Sequence, residues 1–334
     1  MIPISVAIIG TGLMARIYAD ILSQRHDCRL VAVSGRTREN TERFARQYGM
    51  AGYPGGRSEI VYANHPEVEM TVIATPEWIR EEPLSAAIRG RQHILIEKPF
   101  ANGYESARSM ARALNGYERV FDICHVLRFS PRFYALREVV VQNKLGELRH
   151  IYARRNSNRK RVLRVLGKTD LAFWLTSHDL DMMRWVTGSE VVEVFARARH
   201  GLASEDDYLI ANLRFADSTD AVLEISWCTA PVSGIAPEAK FEVWGTAGSA
   251  EVVDYDMNVR VFLEGDRVLS PDTYEDYVVH GLRQGIFKTM IDCFIDRVRR
   301  HDVQSNSITD AIAPIQVCEM IRRSINDGAI VTLE

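Results

Sequence analysis

The sequence predicts an α/β fold followed by an α+β region, and three observations predict it. Short apolar runs alternate with amphipathic stretches through the first third of the chain. The first of these runs ends in a glycine-rich turn that opens a helix. Beyond about residue 124, strand-like runs follow one another with only short turns between them. Ile4 to Ile9 reads as a buried strand and Leu13 to Leu22 as a helix. Arg29 to Val33 is a second strand, followed by a polar helix from Arg38 to Tyr48. Met70 to Ala74, His93 to Ile96 and Val120 to Cys124 are further strands, separated by helical patterns around Pro83–Arg89 and Glu105–Leu114. Strands and helices in this alternation imply a parallel sheet covered on both faces, with right-handed crossovers.

The second region opens with a helix from Pro131 to Gln142, a strand from Leu148 to Arg155 and a helix from Ala172 to Trp185. Strand-like runs follow at Val191–Ala198, Tyr208–Phe215, Ala221–Trp227, Lys240–Trp244, Ala250–Val253 and Val259–Leu263. Their short turns predict a mostly antiparallel sheet with one face packed. Helices at Leu282–Arg299 and Ile308–Ile325 close the chain, the last with Ser307 and Asp310 in a capping-box arrangement. The expected domains are therefore 1–123 and 124–334, a division that a length of 334 residues accommodates.

Composition narrows the class. Forty-one Lys and Arg against 44 Asp and Glu leave a charge of -3, which gives no basic field for a nucleic acid. The sequence shows no uninterrupted apolar span of membrane length and no basic leader before its first apolar run, so neither a membrane nor a secretory role is expected. Five scattered cysteines without a Cys-x-x-Cys spacing predict free thiols and a cytoplasmic location rather than a disulfide framework. No His-x-x-x-His or paired-cysteine spacing suggests a metal, and none is expected.

Gly10-Thr11-Gly12-Leu13-Met14-Ala15 is a G-x-G-x-x-A between a predicted strand and a predicted helix. Gly10 permits the tight turn, Gly12 lets backbone approach a pyrophosphate, and Ala15 allows close helix–sheet packing. The helix start supplies amide donors and positive dipole to the phosphates, which is the Rossmann arrangement for a dinucleotide. At the end of the second strand, an NAD-binding chain usually carries an acid for the ribose 2′-hydroxyl. Here the sequence is Ser34-Gly35-Arg36-Thr37-Arg38, with no carboxylate before Glu39. Arg36 is suited to a 2′-phosphate, with Ser34 and Thr37 as hydrogen-bonding neighbours, so NADP is expected over NAD.

Glu97-Lys98-Pro99 after the strand His93–Ile96, and Ala74-Thr75-Pro76 closing the strand before it, extend the pattern. With Arg128-Phe129-Ser130-Pro131, Gly146-Glu147, His178-Asp179-Leu180-Asp181 and Gly245-Thr246-Ala247-Gly248, the chain resembles the Gfo/Idh/MocA oxidoreductases over nearly its whole length. That resemblance implies a Rossmann domain, then a domain built on a large open sheet, with substrate held between them. It also implies homodimers or homotetramers paired through the outer face of that sheet.

Lys98 sits at the carboxyl end of a predicted strand, where open α/β sheets place their ligands. Its ammonium suits polarisation of a reacting oxygen, and the resemblance makes it the catalytic lysine. His178 titrates near neutral pH and has the acid/base role by the same resemblance. Asp181, one turn on, either orients the imidazole or bonds to backbone. Leu13, Met14, Thr75, Pro76 and Glu97 join Gly10, Gly12 and Lys98 as expected cofactor contacts. Arg128, Arg155, Asn156 and Trp174 join Lys98 and His178 around the substrate. Two departures stand out. Many relatives have an aspartate four residues before the histidine, where this chain has Trp174, and many have a histidine where it has Arg80.

From Arg154 to Lys168 the chain carries seven positive charges in fifteen residues: Arg154, Arg155, Arg159, Lys160, Arg161, Arg164 and Lys168. This run is read either as recognition of an anionic substrate or as a solvated loop. The leading expectation is an NADP-dependent oxidoreductase acting on a secondary alcohol or ketone of a sugar, inositol-like cyclitol or other polyol. The alternatives are a reductase of an aldehyde, imine or dihydrodiol-type substrate, and a non-catalytic NADP-sensing regulator.

Overall fold

The computed structural model describes residues 2–158, 167–202, 205–229, 238–253, 261–263, 267–269, 274–303 and 307–333. The chain begins β1 (Ile4–Ile9), α1 (Leu13–Ser23), β2 (Cys28–Gly35), α2 (Arg38–Tyr48), β3 (Ala51–Pro54), α3 (Glu59–Asn64) and β4 (Met70–Ile73). It continues through α4 (Glu81–Arg89), β5 (His93–Ile96), α5 (Tyr104–Ala113) and β6 (Phe121–Ile123). The six strands form one sheet in the order β3-β2-β1-β4-β5-β6, every pair parallel. All residues of β1, β4 and β5 are buried, as expected of strands covered on both faces. α1 buries Ala15, Ile17, Tyr18, Ala19, Ile21 and Leu22, a face at helical spacing. β3 and α3 are elements the sequence pattern does not announce. At four and six residues, each is too short to establish a hydrophobic period.

After α6 (Pro131–Val141) come β7 (Leu148–Asn158), α7 (Leu171–Trp174) and α8 (Thr176–Thr187). Then follow β8 (Val191–Leu202), β9 (Glu205–Phe215), β10 (Asp220–Thr229), β11 (Glu238–Gly245), β12 (Ser249–Val253), β13 (Val261–Leu263) and β14 (Arg267–Leu269). The chain ends through β15 (Asp276–Val279), β16 (Leu282–Gly285), α9 (Ile286–Arg300), α10 (Ser307–Asp327) and β17 (Val331–Thr332). The second sheet has the order β12-β11-β7-β10-β9-β8-β17. Its β7–β10 pair is parallel and its other pairs are antiparallel, so the sheet is mixed. Residues alternate across it: Ile151, Ala153, Leu223, Ile225, Ala211, Leu213, Phe241 and Val243 are buried, while Tyr152, Glu224, Asn212 and Glu242 lie on the other face.

Two expected helices are divided. The stretch Ala172–Trp185 is α7 and α8, parted at Leu175, where the Thr176 hydroxyl donates to the Leu171 carbonyl at 3.1 Å. The stretch Leu282–Arg299 begins as strand β16, and α9 starts only after Gly285. Gly285 has φ of 102°, and a Cβ there would meet the Glu275 carbonyl oxygen at 2.1 Å. His280 and Gly281, with φ of 51° and 79°, make the tight turn that joins β15 to β16.

Residues 1–126 and 275–312 form one compact unit, and 127–274 with 313–334 form the other. The sequence expectation of 1–123 and 124–334 counts the first unit's later segment with the second domain. Buried apolar packing and ion pairs explain the difference. α9 buries Met290, Ile291, Phe294 and Ile295, Arg25 pairs with Asp292, Arg299 with Asp27 at 3.3 Å, and Arg297 with Asp122 at 2.6 Å.

His93, at the start of β5, is 5% exposed, and its Nδ1 accepts the Val120 amide at 3.1 Å. That bond requires an unprotonated Nδ1, and burial, with Arg119 and His301 adding to it, pulls the pKa down to about 4. An unfolded histidine titrates near ~6.5, so between there and about 4 the unfolded chain binds more protons than the folded one. Stability is therefore expected to fall as pH drops through that window. His93→Asn retains an acceptor without the titration and is expected to flatten this part of the Tm–pH curve. An identical curve in the variant would contradict the assignment.

Candidate functional site

Each unit carries one set of the residues singled out from the sequence. In the first, β1 runs into Gly10, whose amide donates to the Ser34 carbonyl at 2.8 Å. Gly10 has φ of 118°, and a Cβ there would stand 2.6 Å from the Ala74 carbonyl oxygen. Only glycine lets β1 turn this close to the end of β4. A Cβ on Gly12, by contrast, would meet nothing within 4 Å. Gly12 is the N-cap of α1, no side chain caps that helix, and Leu13 is 68% exposed beside it. Open amides at a helix start, with room in front of them, fit the pyrophosphate of a dinucleotide. Ala15 is fully buried, as close helix–sheet packing requires.

At the end of β2, Ser34 is buried and Gly35 is hemmed in by Thr11 and Thr41. Arg36 and Thr37 are exposed. The Gly35 carbonyl accepts the amides of Gly55 and Gly56 at 2.9 and 3.0 Å, and the Ser34 hydroxyl donates to the Arg57 carbonyl at 3.4 Å. The turn that carries Arg57, a second exposed arginine, is thereby tied to the end of β2, where Arg36 follows. Among the described residues neither makes an ion pair, whereas Arg38 is paired with Glu42 at 3.3 Å. Arg57 has no sequence motif. The Gly55-Gly56 pair before it, with φ of 105° and 71°, is the signal that a tight turn returns the chain there.

Lys98 is half-buried on the loop after β5, followed by a cis bond to Pro99. Its amide donates to Glu97 Oε2 at 3.0 Å, and the Tyr18 hydroxyl donates to Glu97 Oε1. Glu97 is buried, and burial raises its pKa while the Tyr18 hydroxyl, Arg80 and Lys98 oppose the rise. Burial also pushes up the Tyr18 hydroxyl and the neighbouring Cys124 thiol. Thr75 and Pro76 lie on the adjacent loop after β4, and the Thr75 hydroxyl is buried without a hydrogen-bond partner.

In the second unit, His178 is half-buried in the first turn of α8, and its amide donates to the Leu175 carbonyl at 3.2 Å. Asp179 and Asp181 on either side of Leu180 are each 1% exposed. Arg155 of β7 grips Asp179 with bonds of 2.7 and 3.0 Å, and Arg128 grips Asp181 with bonds of 3.0 and 2.6 Å. Both arginines expected around substrate are thus engaged by buried carboxylates, and the Asp181 carboxylate, read from the sequence either as orienting the imidazole or as bonding to backbone, accepts from Arg128. Two bidentate pairs fix the helix that carries His178. Trp174, at the end of α7, meets the Trp227 ring edge to face at 5.8 Å. Asn156, the next residue of β7, alternates to the face of the sheet opposite Arg155. Of the basic run, Arg159, Lys160, Arg161 and Arg164 lie outside the described residues. Among the described residues no three His, Cys, Asp or Glu side chains group as a metal site, and no helix is long and apolar enough to cross a membrane.

Residues 4–125 match the family described as oxidoreductases with an NAD-binding Rossmann fold, and residues 133–251 match the GFO/IDH/MocA C-terminal domain. The chain belongs to the Gfo/Idh/MocA oxidoreductase family. It is an NAD(P)-dependent oxidoreductase whose Rossmann domain precedes a mixed-sheet domain. It is 22% identical over 325 residues to an inositol 2-dehydrogenase of Rhizobium meliloti, matching 95% of this chain and 96% of that one. It is 24% identical over 229 residues to a 2,7-anhydro-N-acetylneuraminate hydratase of Mediterraneibacter gnavus, matching 65% of this chain and 60% of that one. The fold is shared with the crystal structure of GenD2 from gentamicin A biosynthesis in complex with NAD, with a TM-score of 0.86, 20% identity, and coverage of 100% of this chain and 97% of that one.

Proposed function

We propose that this protein is an NADP-dependent oxidoreductase that interconverts a secondary alcohol and its ketone on a sugar, cyclitol or related polyol. The observation that carries the reading is Lys98. It is presented at the carboxyl end of β5, two strands from the turn fitted to a pyrophosphate, in a chain whose relatives include an inositol 2-dehydrogenase. The nicotinamide, when bound, accepts or supplies the hydride. Lys98 polarises the substrate oxygen, and His178 takes or returns the hydroxyl proton. Gly10, Gly12, Leu13 and Met14 receive the pyrophosphate end, and Thr75, Pro76 and Glu97 belong to the loops around the reacting lysine. Arg128, Arg155 and Asp181 act by holding α8 and, with it, His178. A substrate deuterated at the reacting carbon tests this directly: deuterium appears in the reduced cofactor if the reading holds, and its absence during turnover refutes it.

The preference for NADP rests on Arg36, just after β2, and Arg57, on the turn tied to the end of β2, two exposed arginines that pair with no carboxylate among the described residues. Charge-assisted bonds to a phosphate are each worth about 1.5–3 kcal/mol. Arg36→Ala and Arg57→Ala are each expected to weaken NADP binding by roughly ten- to a hundredfold and to leave NAD binding unchanged, as read by fluorescence titration. Tighter binding of NAD than NADP by the wild-type protein would overturn the preference.

Trp174 supports a second reading. Without an aspartate at that position the acid/base set rests on Lys98 and His178 alone, which also suits reduction of an aldehyde, imine or dihydrodiol-type substrate. Because Arg128 and Arg155 are each neutralised by a buried carboxylate, they lend no support to an anionic substrate. The outer face of the second sheet mixes Tyr152, Ile210 and Val222 with charged residues, and it is the surface through which homodimers or homotetramers would pair. Five free thiols favour a cytoplasmic setting.

A further inference from the structure

The proposed reaction gives Arg80 no part. Its side chain is buried, 3% exposed, just before α4. Nε and Nη2 donate to the Thr75 carbonyl at 3.1 and 2.9 Å, and Nη2 donates also to the Lys98 carbonyl at 3.2 Å. Those two carbonyls belong to the loops leaving β4 and β5, which are neighbours in the sheet. Each precedes a proline, Pro76 or Pro99, so both loops are short of amide donors of their own. Buried Glu77 and Glu97 supply the opposing charge. Among the described residues, Arg80 Nη1 and Glu77 Oε1 are buried and find no hydrogen-bond partner. An arrangement that leaves polar atoms unsatisfied in a core is poorly explained by stability alone.

We propose that Arg80 is a positioning residue for Lys98: one planar guanidinium ties the Thr75 and Lys98 carbonyls together and sets the distance of the lysine loop from the Thr75-Pro76 loop. The inference rests on Lys98 being the reacting lysine. Arginine presents a rigid fork that spans two carbonyls. A lysine in its place keeps the positive charge between Glu77 and Glu97 but has only a point donor on a flexible stem. Arg80→Lys therefore separates geometry from charge.

Two variants, Arg80→Lys and the charge-compensated Glu77→Gln/Arg80→Gln pair, are compared with wild type by thermal melting, cofactor titration and steady-state kinetics. The rate of Lys98 acetylation by trace acetic anhydride is read alongside by mass spectrometry, with exposed Lys144 as internal reference. The expected result is a folded protein whose kcat falls about a hundredfold while KM and cofactor affinity hold, because small misplacements of a reacting group act on the chemical step. The acetylation rate of Lys98 relative to Lys144 shifts in the same variants. An unchanged kcat together with an unchanged Lys98 labelling rate in either folded variant overturns the proposal. Unfolding of both variants also overturns it, by assigning Arg80 to the core alone. If wild type turns over no polyol yet Lys98 labelling still responds to Arg80→Lys, the positioning role stands and the reading of the reaction is what fails.

Discussion

Lys98→Met is expected to leave a folded protein that still binds cofactor and to lower turnover by about a hundred- to ten-thousandfold. The main chain at this position is held by groups the substitution does not touch. Glu97 Oε2 accepts the Lys98 amide, Arg80 donates to its carbonyl, and Pro99 follows. Only the ammonium is lost, so the effect falls on kcat rather than on Tm. Steady-state kinetics with the best substrate and a thermal melt of the same preparation are the measurements. A kcat within a few-fold of wild type would remove Lys98 from the chemistry.

Asp179→Ala carries the largest expected effect on stability. Its carboxylate is 1% exposed and neutralises Arg155, whose guanidinium is itself largely buried. Stranding a buried charge costs about 3–5 kcal/mol. Removing both partners with apolar residues of similar volume, Arg155→Met/Asp179→Leu, is expected to recover most of that loss in denaturant melts, since a buried pair gains little over good packing. If His178 depends on the pair for its placement, the double variant regains stability without regaining kcat. Equal destabilisation of the single and double variants would show that the pair contributes more than charge balance.

The parallel sheet was legible because its central strands are continuous apolar runs and its first turn carries a glycine pattern with a backbone reason for each residue. The Ala74 carbonyl lies 2.6 Å from where a Gly10 Cβ would be, a contact that the sequence motif encodes without showing. Helix boundaries were less legible. Gly285 and the His280-Gly281 turn mark a hairpin, but the apolar period of 286–299 runs back smoothly through Leu282 and hides it. The charged residues show the sharpest limit. Arg128, Arg155 and Asp181 read as site residues because isolated charges in a motif suggest ligands, and pairing partners distant in sequence are invisible until the chain is folded. Arg57 and Arg80 went unassigned for the converse reason. Arg57 is placed by the Ser34 hydroxyl, which donates to its carbonyl, and Arg80 by the carbonyls of Thr75 and Lys98, contacts that no residue pattern reports.

The proposed hydride exchange between NADP and a secondary alcohol is read by nicotinamide absorbance over a panel of inositols, aldoses, sugar acids and their ketones with NADP and with NAD. That exchange requires turnover that is faster with NADP, occurs on a neutral polyol or its ketone, and vanishes in Lys98→Met. Turnover that persists in Lys98→Met, or tight NADP binding with no turnover of any panel member in either direction, would contradict it.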